Sequence, residues 1–140
     1  MVGFKKTGKR FGGVIIIVIF GCFFYGYFYF VDSSREDELN NNGIYTVGRG
    51  LNITKNRYSK LIKYEYYYNN TKYFNSYSCD LREDEYSNSN IQNKPFIVKF
   101  SKEKPEISQL YINIWVSEST AKKCPEMGWD SIEFKKLFGE

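Results

Sequence analysis

Positions 11–31 read FGGVIIIVIFGCFFYGYFYFV, 21 residues without a charge. A helix of that length rises roughly 30 Å, the thickness of a bilayer core. Nothing else in the chain limits its fold as strongly, because the residues on either side of such a helix must sit on one or other face of a membrane. A removable signal has an apolar region of only about 7 to 15 residues. Here Phe23, Phe24, Tyr25, Tyr27, Phe28, Tyr29 and Phe30 carry the run well past that length.

The tetrapeptide Ile19-Phe20-Gly21-Cys22 has some features of a lipoprotein cleavage site. The bulky Phe20 and the apolar residues after Cys22 depart from that pattern, so a retained transmembrane helix is the reading and a lipid anchor on Cys22 the alternative. Lys5, Lys6, Lys9 and Arg10 precede the run, and the net acidic DSSREDELNNN follows it. Positive charge stays on the cytoplasmic side, so residues 1–10 form a cytoplasmic basic tail and the 109 residues after Val31 face outward. Tyr25, Tyr27 and Tyr29 suit an aromatic belt at the far interface.

Those four basic residues supply the whole formal charge of +4. From Asp32 onward 16 basic residues balance 16 acidic ones. A nucleic-acid binder needs a basic excess on the surface that meets phosphates, so no nucleic-acid partner is expected. Histidine is absent, which removes Ser-His-Asp and Cys-His catalysis, histidine metal ligands and a histidine pH switch.

Residues 32–42 are polar and without periodicity, and read as a linker. A domain over 43–140 follows, about 100 residues and so one core. Alternation puts Ile62, Tyr64, Tyr66 and Tyr68 on one side of a strand and Lys63, Glu65 and Tyr67 on the other. The tyrosine stripe reads as sheet packing rather than a ligand-stacking platform. Asn69-Asn70 breaks the strand, and a second run to Cys79 follows at hairpin distance. PFIVKF places Phe96, Val98 and Phe100 on one face. QLYINIWV does the same with Leu110, Ile112, Ile114 and Val116, and Pro105 stops the chain between these two strands. At the end, Asp130 with Glu133 forms a capping pair ahead of Ile132, Phe134, Leu137 and Phe138. The expectation is a mainly β protein: a transmembrane helix, then a small antiparallel barrel or sandwich of about five strands, then a short C-terminal helix.

NKPFIVKFSKEKPEISQLYI, the hairpin YEYYYNNTKYFNS and PEMGWDSI resemble the corresponding parts of uncharacterised single-pass membrane proteins common in the Bacteroidetes. The resemblance covers residues 43–132 and implies one anchor, a small β-domain and a bacterial inner-membrane location with a periplasmic domain. It implies no catalytic residues.

The run DLREDE gathers Asp80, Glu83, Asp84 and Glu85, but it lacks the glycine and spacing of a calcium loop and the rigidity a carboxylate pair needs for sugar hydrolysis. It reads as a solvated loop, and no metal or cofactor is expected. Cys79 and Cys124 form a disulfide or remain two separate thiols. Tyr111, Trp115 and Trp129 are the expected partner surface, with burial of Trp115 under GWDSIEF and packing of Trp129 against the domain as the alternatives. Function narrows to a membrane-anchored, non-catalytic interaction or structural protein meeting an envelope protein partner. An immunity or inhibitor protein against an extracytoplasmic toxin is the alternative. An enzyme is not expected, and neither is a small-molecule substrate.

Overall fold

The computed structural model describes residues 9–55, 57–80 and 87–139. The chain divides into two compact units, Met1–Asp37 and Glu38–Glu140. Helix α1 covers Lys9–Asn42, and its stretch from Ile16 is long and apolar enough to cross a membrane. Side chains from Ile16 to Phe30 stand exposed on it, as lipid-facing side chains do, Cys22 among them.

The expected linker is helical. Residues 32–42 contain neither proline nor glycine, and the first helix-breaker is Gly43, where a Cβ would overlap the Leu39 carbonyl. The last turn of α1 is fastened within the second unit. Glu38 accepts from Ser101 Oγ at 2.7 Å and from Asn42 Nδ2 at 2.9 Å, and Lys102 N donates to the Asn42 carbonyl at 3.1 Å. Ser101 Oγ in turn accepts from Glu103 N and Lys104 N, so one hydroxyl organises the following turn.

Five strands follow: β1 Gly43–Lys55, β2 Ser59–Tyr68, β3 Thr71–Asp80, β4 Pro95–Ser101 and β5 Ser108–Trp115. They form one antiparallel sheet in the order β3-β2-β1-β4-β5. The expected count and direction hold. Among the described residues there is no second sheet, and no main-chain ladder joins β3 to β5, so the sheet is an open one. It curls nonetheless, until side chains from its two edges meet. Asn75 Nδ2 donates to Ser108 Oγ at 2.8 Å and to the Glu106 carbonyl at 3.2 Å. The Tyr64 hydroxyl lies 2.9 Å from Ser108 Oγ, and the Tyr66 hydroxyl donates to the Pro105 carbonyl.

The β2–β3 hairpin closes on two residues, with φ of 50° at Asn69 and 58° at Asn70. Asparagine tolerates that left-handed backbone, and the paired positive φ matches the right-handed twist of the strands. Among the described residues there are also three one- or two-turn helices: α2 Asn88–Ile91, α3 Glu118–Ala121 and α4 Ser131–Phe138. The Asp130/Glu133 capping box is formed at the start of α4. The apolar stripe expected there is only half used: Phe134 is buried, while Ile132 and Leu137 are exposed.

Two cores result, one on each face of the sheet. Ile62, Tyr64, Tyr66, Cys79, Phe96, Val98, Phe100, Leu110 and Ile112, with Ile91 of α2, fill the inside of the curl. Each such ring or branched chain removed from water stabilises the fold by about 1.5–3 kcal/mol. On the outside, Ile97 and Val116 are covered by Trp129 and Phe134, with Tyr45, Val47, Tyr111 and Ile114 around them. The single row expected from Leu110 to Val116 is therefore split. The pairing shifts between Phe96↔Trp115 and Ile97↔Tyr111, and this irregularity sends Ile114 and Val116 to the opposite face from Leu110 and Ile112.

Candidate functional site

The expected partner surface is largely covered. Trp129 keeps 5% of its surface, and its backbone exchanges hydrogen bonds with Tyr45 at 2.9 and 2.7 Å, extending the edge of β1 by one bridge. Gly128 makes that bridge possible, with φ of 78° and no Cβ to meet the Tyr45 carbonyl. Tyr111 is half-buried with its ring 6.1 Å from that of Tyr45, which stacks on Phe134 at 4.0 Å. Trp129 is core and is withdrawn from the partner surface, while Tyr111 packs against that core and keeps part of its surface open. The side chain of Trp115 lies outside the described residues, as do Glu83, Asp84, Glu85 and the side chain of Asp80.

Cys79 and Cys124 are not brought together, and no disulfide joins them. Cys79 lies in the inner core, in register with Lys60 and through it with Lys55. Cys124 Sγ lies 3.6 Å from Thr46 Oγ1, at the other end of β1. From Thr46 to Lys55 the strand rises roughly 25–30 Å, whereas a disulfide needs Cα atoms within about 7 Å.

Among the described residues of the domain the exposed aromatic rings are Tyr58, just ahead of β2, and a pair on the outer face of the β2–β3 hairpin that the C-terminal segment leaves uncovered. Tyr67 is 53% exposed and Phe74 64%. The pairs Glu65↔Phe74 and Tyr67↔Lys72 put four side chains on one face. The Lys72 ammonium sits 5.1 Å from the Tyr67 ring centre and 5.6 Å from that of Phe74, and 3.1 Å from the Glu65 carboxylate. Tyr67 and Glu65 together hold that ammonium above its ordinary pKa range. Sequence alternation already placed Tyr67 on the polar side with Lys63 and Glu65. An aromatic ring on a strand's solvent face was the available signal.

Tyr67 also lines a cavity of about 340 Å³ at the fork where β2 leaves β1. Thr46 and Arg49 of β1 form one wall, Asn69 and Asn70 of the hairpin tip a second, and Lys122, Cys124 and Glu126 after α3 a third. Arg49 braces the third wall with a two-pronged pair to Glu118, at 3.1 and 3.0 Å, and a 2.8 Å hydrogen bond to the Asn93 carbonyl. That contact raises the pKa of Arg49 and lowers that of Glu118. Burial pushes the Cys124 thiol up, so it stays protonated near neutral pH and is a poor nucleophile. Among the described residues no cluster of cysteine and carboxylate side chains is arranged to hold a metal ion. The side chains gathered around it are amides, a hydroxyl, a ring and paired charges.

No family model matches the chain, and no curated protein or solved structure does.

Proposed function

We propose that this chain is a single-pass, non-catalytic interaction protein of the bacterial envelope. Helix α1 is its anchor in the inner membrane, with the N-terminus cytoplasmic and the β-domain periplasmic, and the outer face of the β2–β3 hairpin is its contact surface. One observation carries the contact surface: the curl and the C-terminal segment bury or half-bury every other described ring of the domain except Tyr58, yet leave Tyr67 and Phe74 exposed side by side on a braced strand pair. Exposed aromatics on a rigid element are favoured as interface anchors. The location rests on the length of the apolar helix and the basic residues ahead of it.

Alkaline phosphatase fused after Glu140 is expected to be active, and the protein to resist carbonate extraction at its full intact mass. An inactive fusion, a carbonate-soluble chain or a mature form beginning at Cys22 with acyl groups would overturn this reading.

A further inference from the structure

We propose that Asn42–Gly43 is a deamidation site which a clamp around Glu38 holds shut, and that deamidation, once the clamp has opened, keeps it from closing again. The residues involved all belong to the second unit, and the inference needs no assumption about location or partner.

Asn42 and Gly43 form the one asparagine–glycine pair of the sequence. With no Cβ on the second residue, its backbone nitrogen reaches the preceding side-chain amide carbon unhindered, which makes such pairs labile wherever the chain is free. The fold nonetheless uses both residues. A Cβ at position 43 would overlap the Leu39 carbonyl, and Asn42 Nδ2 donates to Glu38 Oε1 at 2.9 Å.

The same geometry contains the hazard. Asn42 is the last residue of α1, and a helical ψ of about −42° holds the Gly43 nitrogen out of line with the Asn42 amide carbon. The Asn42 carbonyl accepts from Lys102 N at 3.1 Å, so that peptide plane turns only if the bond breaks. At its other end the side chain is fixed by Glu38, which also accepts from the fully buried Ser101, through Oγ at 2.7 Å, and from Lys104 Nζ at 3.4 Å. Ser101 first and Asn42 second hold the Glu38 carboxyl below its ordinary pKa range, so it is ionised at neutral pH.

With the clamp open, the Gly43 nitrogen gives up its proton and bonds to Asn42 Cγ; the Cγ–Nδ2 bond breaks and ammonia leaves with that proton. Water then opens the cyclic imide at either carbonyl, leaving aspartate or isoaspartate at position 42. One water enters, one ammonia departs, and nothing is oxidised or reduced. The new carboxylate stands where Nδ2 donated, so Glu38 loses a donor and meets a like charge. It also sits at the C-terminal end of α1, where negative charge opposes the helix dipole. The cations nearby are engaged, Lys104 with Glu38, and Lys99 with Asn40 at 3.4 Å and the Tyr45 ring. The switch therefore runs one way.

The test is mass spectrometry of the peptide spanning position 42, taken from full-length protein held in detergent at mildly alkaline pH. Wild type is expected to deamidate at least about tenfold more slowly than a synthetic peptide of residues 38–48, and Ser101→Ala about tenfold faster than wild type, the population change that loss of a hydrogen bond to a charged group produces. Hydrogen exchange reads the second half of the proposal. Asn42→Asp should speed exchange of the Lys102, Glu103 and Lys104 amides, which the clamp holds, while Asn40→Asp, beside Lys99, should not. The amides of β4 should stay slow in every variant, which shows that the sheet is folded. Wild type as labile as the peptide overturns the proposal, as does a Ser101→Ala rate equal to that of wild type. So does acceleration that comes only with loss of β4 protection, or clamp amides indifferent to Asn42→Asp.

Discussion

Tyr66 and Tyr67 are chemically identical neighbours in one strand, and the fold gives them opposite roles. Tyr66 keeps 1% of its surface, stacks on Tyr73 at 5.7 Å and lies 5.3 Å from Phe100, and its hydroxyl reaches the Pro105 carbonyl across the curl. Tyr67 keeps 53% and touches a lysine. What separates them is strand parity and which half of the outer face the C-terminal segment reaches. A tyrosine-rich sequence therefore says little about function until each ring is assigned to a face.

The sharpest way to break this contrast is Tyr66→Ala. It should cost about 3–5 kcal/mol in chemical denaturation, as truncation of a buried ring does. That is much of the stability of a domain this size. Gly128→Ala should cost about 1–3 kcal/mol, through the left-handed backbone it forces on an alanine and the approach to Tyr45. Tryptophan emission should shift to the red as Trp129 loosens.

Tyr66→Phe is gentler and leaves the Pro105 carbonyl without its donor, about 1 kcal/mol near neutral pH. Its more telling effect is on alkaline stability. Burial, the largest cause, pushes the Tyr66 phenol up to about 12. Below about pH 10 both folded and unfolded chains hold this proton; above it the unfolded chain loses it first, so stability falls between about pH 10 and 12. The phenylalanine variant should fall less steeply across that window.

Tyr67→Ser, by contrast, should shift stability by no more than about 0.5 kcal/mol. A cost close to that of Tyr66→Ala would show that Tyr67 is core. Reductant should leave the unfolding midpoint unchanged. Had Cys79 and Cys124 been bonded, the loop between them would have contributed about 3–4 kcal/mol that reductant removes.

Most of the local structure was legible in the sequence. The turn at Asn69-Asn70, the strands β2 to β5, the capping pair at Asp130 and the long apolar helix are each set by residues within a few positions of one another, whereas the central strand β1 was counted but not placed. What escaped was decided at a distance or by irregularity. The shifted pairing after Phe96 turned Ile114 and Val116 to the other face, a change that alternation in β5 alone does not signal. The covering of Tyr111 by the C-terminal segment depends on Trp129 meeting Tyr45, residues from opposite ends of the domain. Residues 32–42 lack periodicity yet form helix, because Leu39 has a buried place and nothing interrupts the backbone before Gly43. At the candidate site, the parity of Tyr67 was readable, whereas the cavity needed three segments placed in space.

The side-chain bridge from Asn75 to Ser108 also bears on how these molecules behave in a crowd. An open sheet ends in two strands whose outer amides and carbonyls invite a neighbour's strand. By drawing β3 and β5 toward each other, Asn75 and Ser108 turn those edges inward without sealing them. The domain thereby gains much of the protection against edge-to-edge aggregation that a closed barrel has.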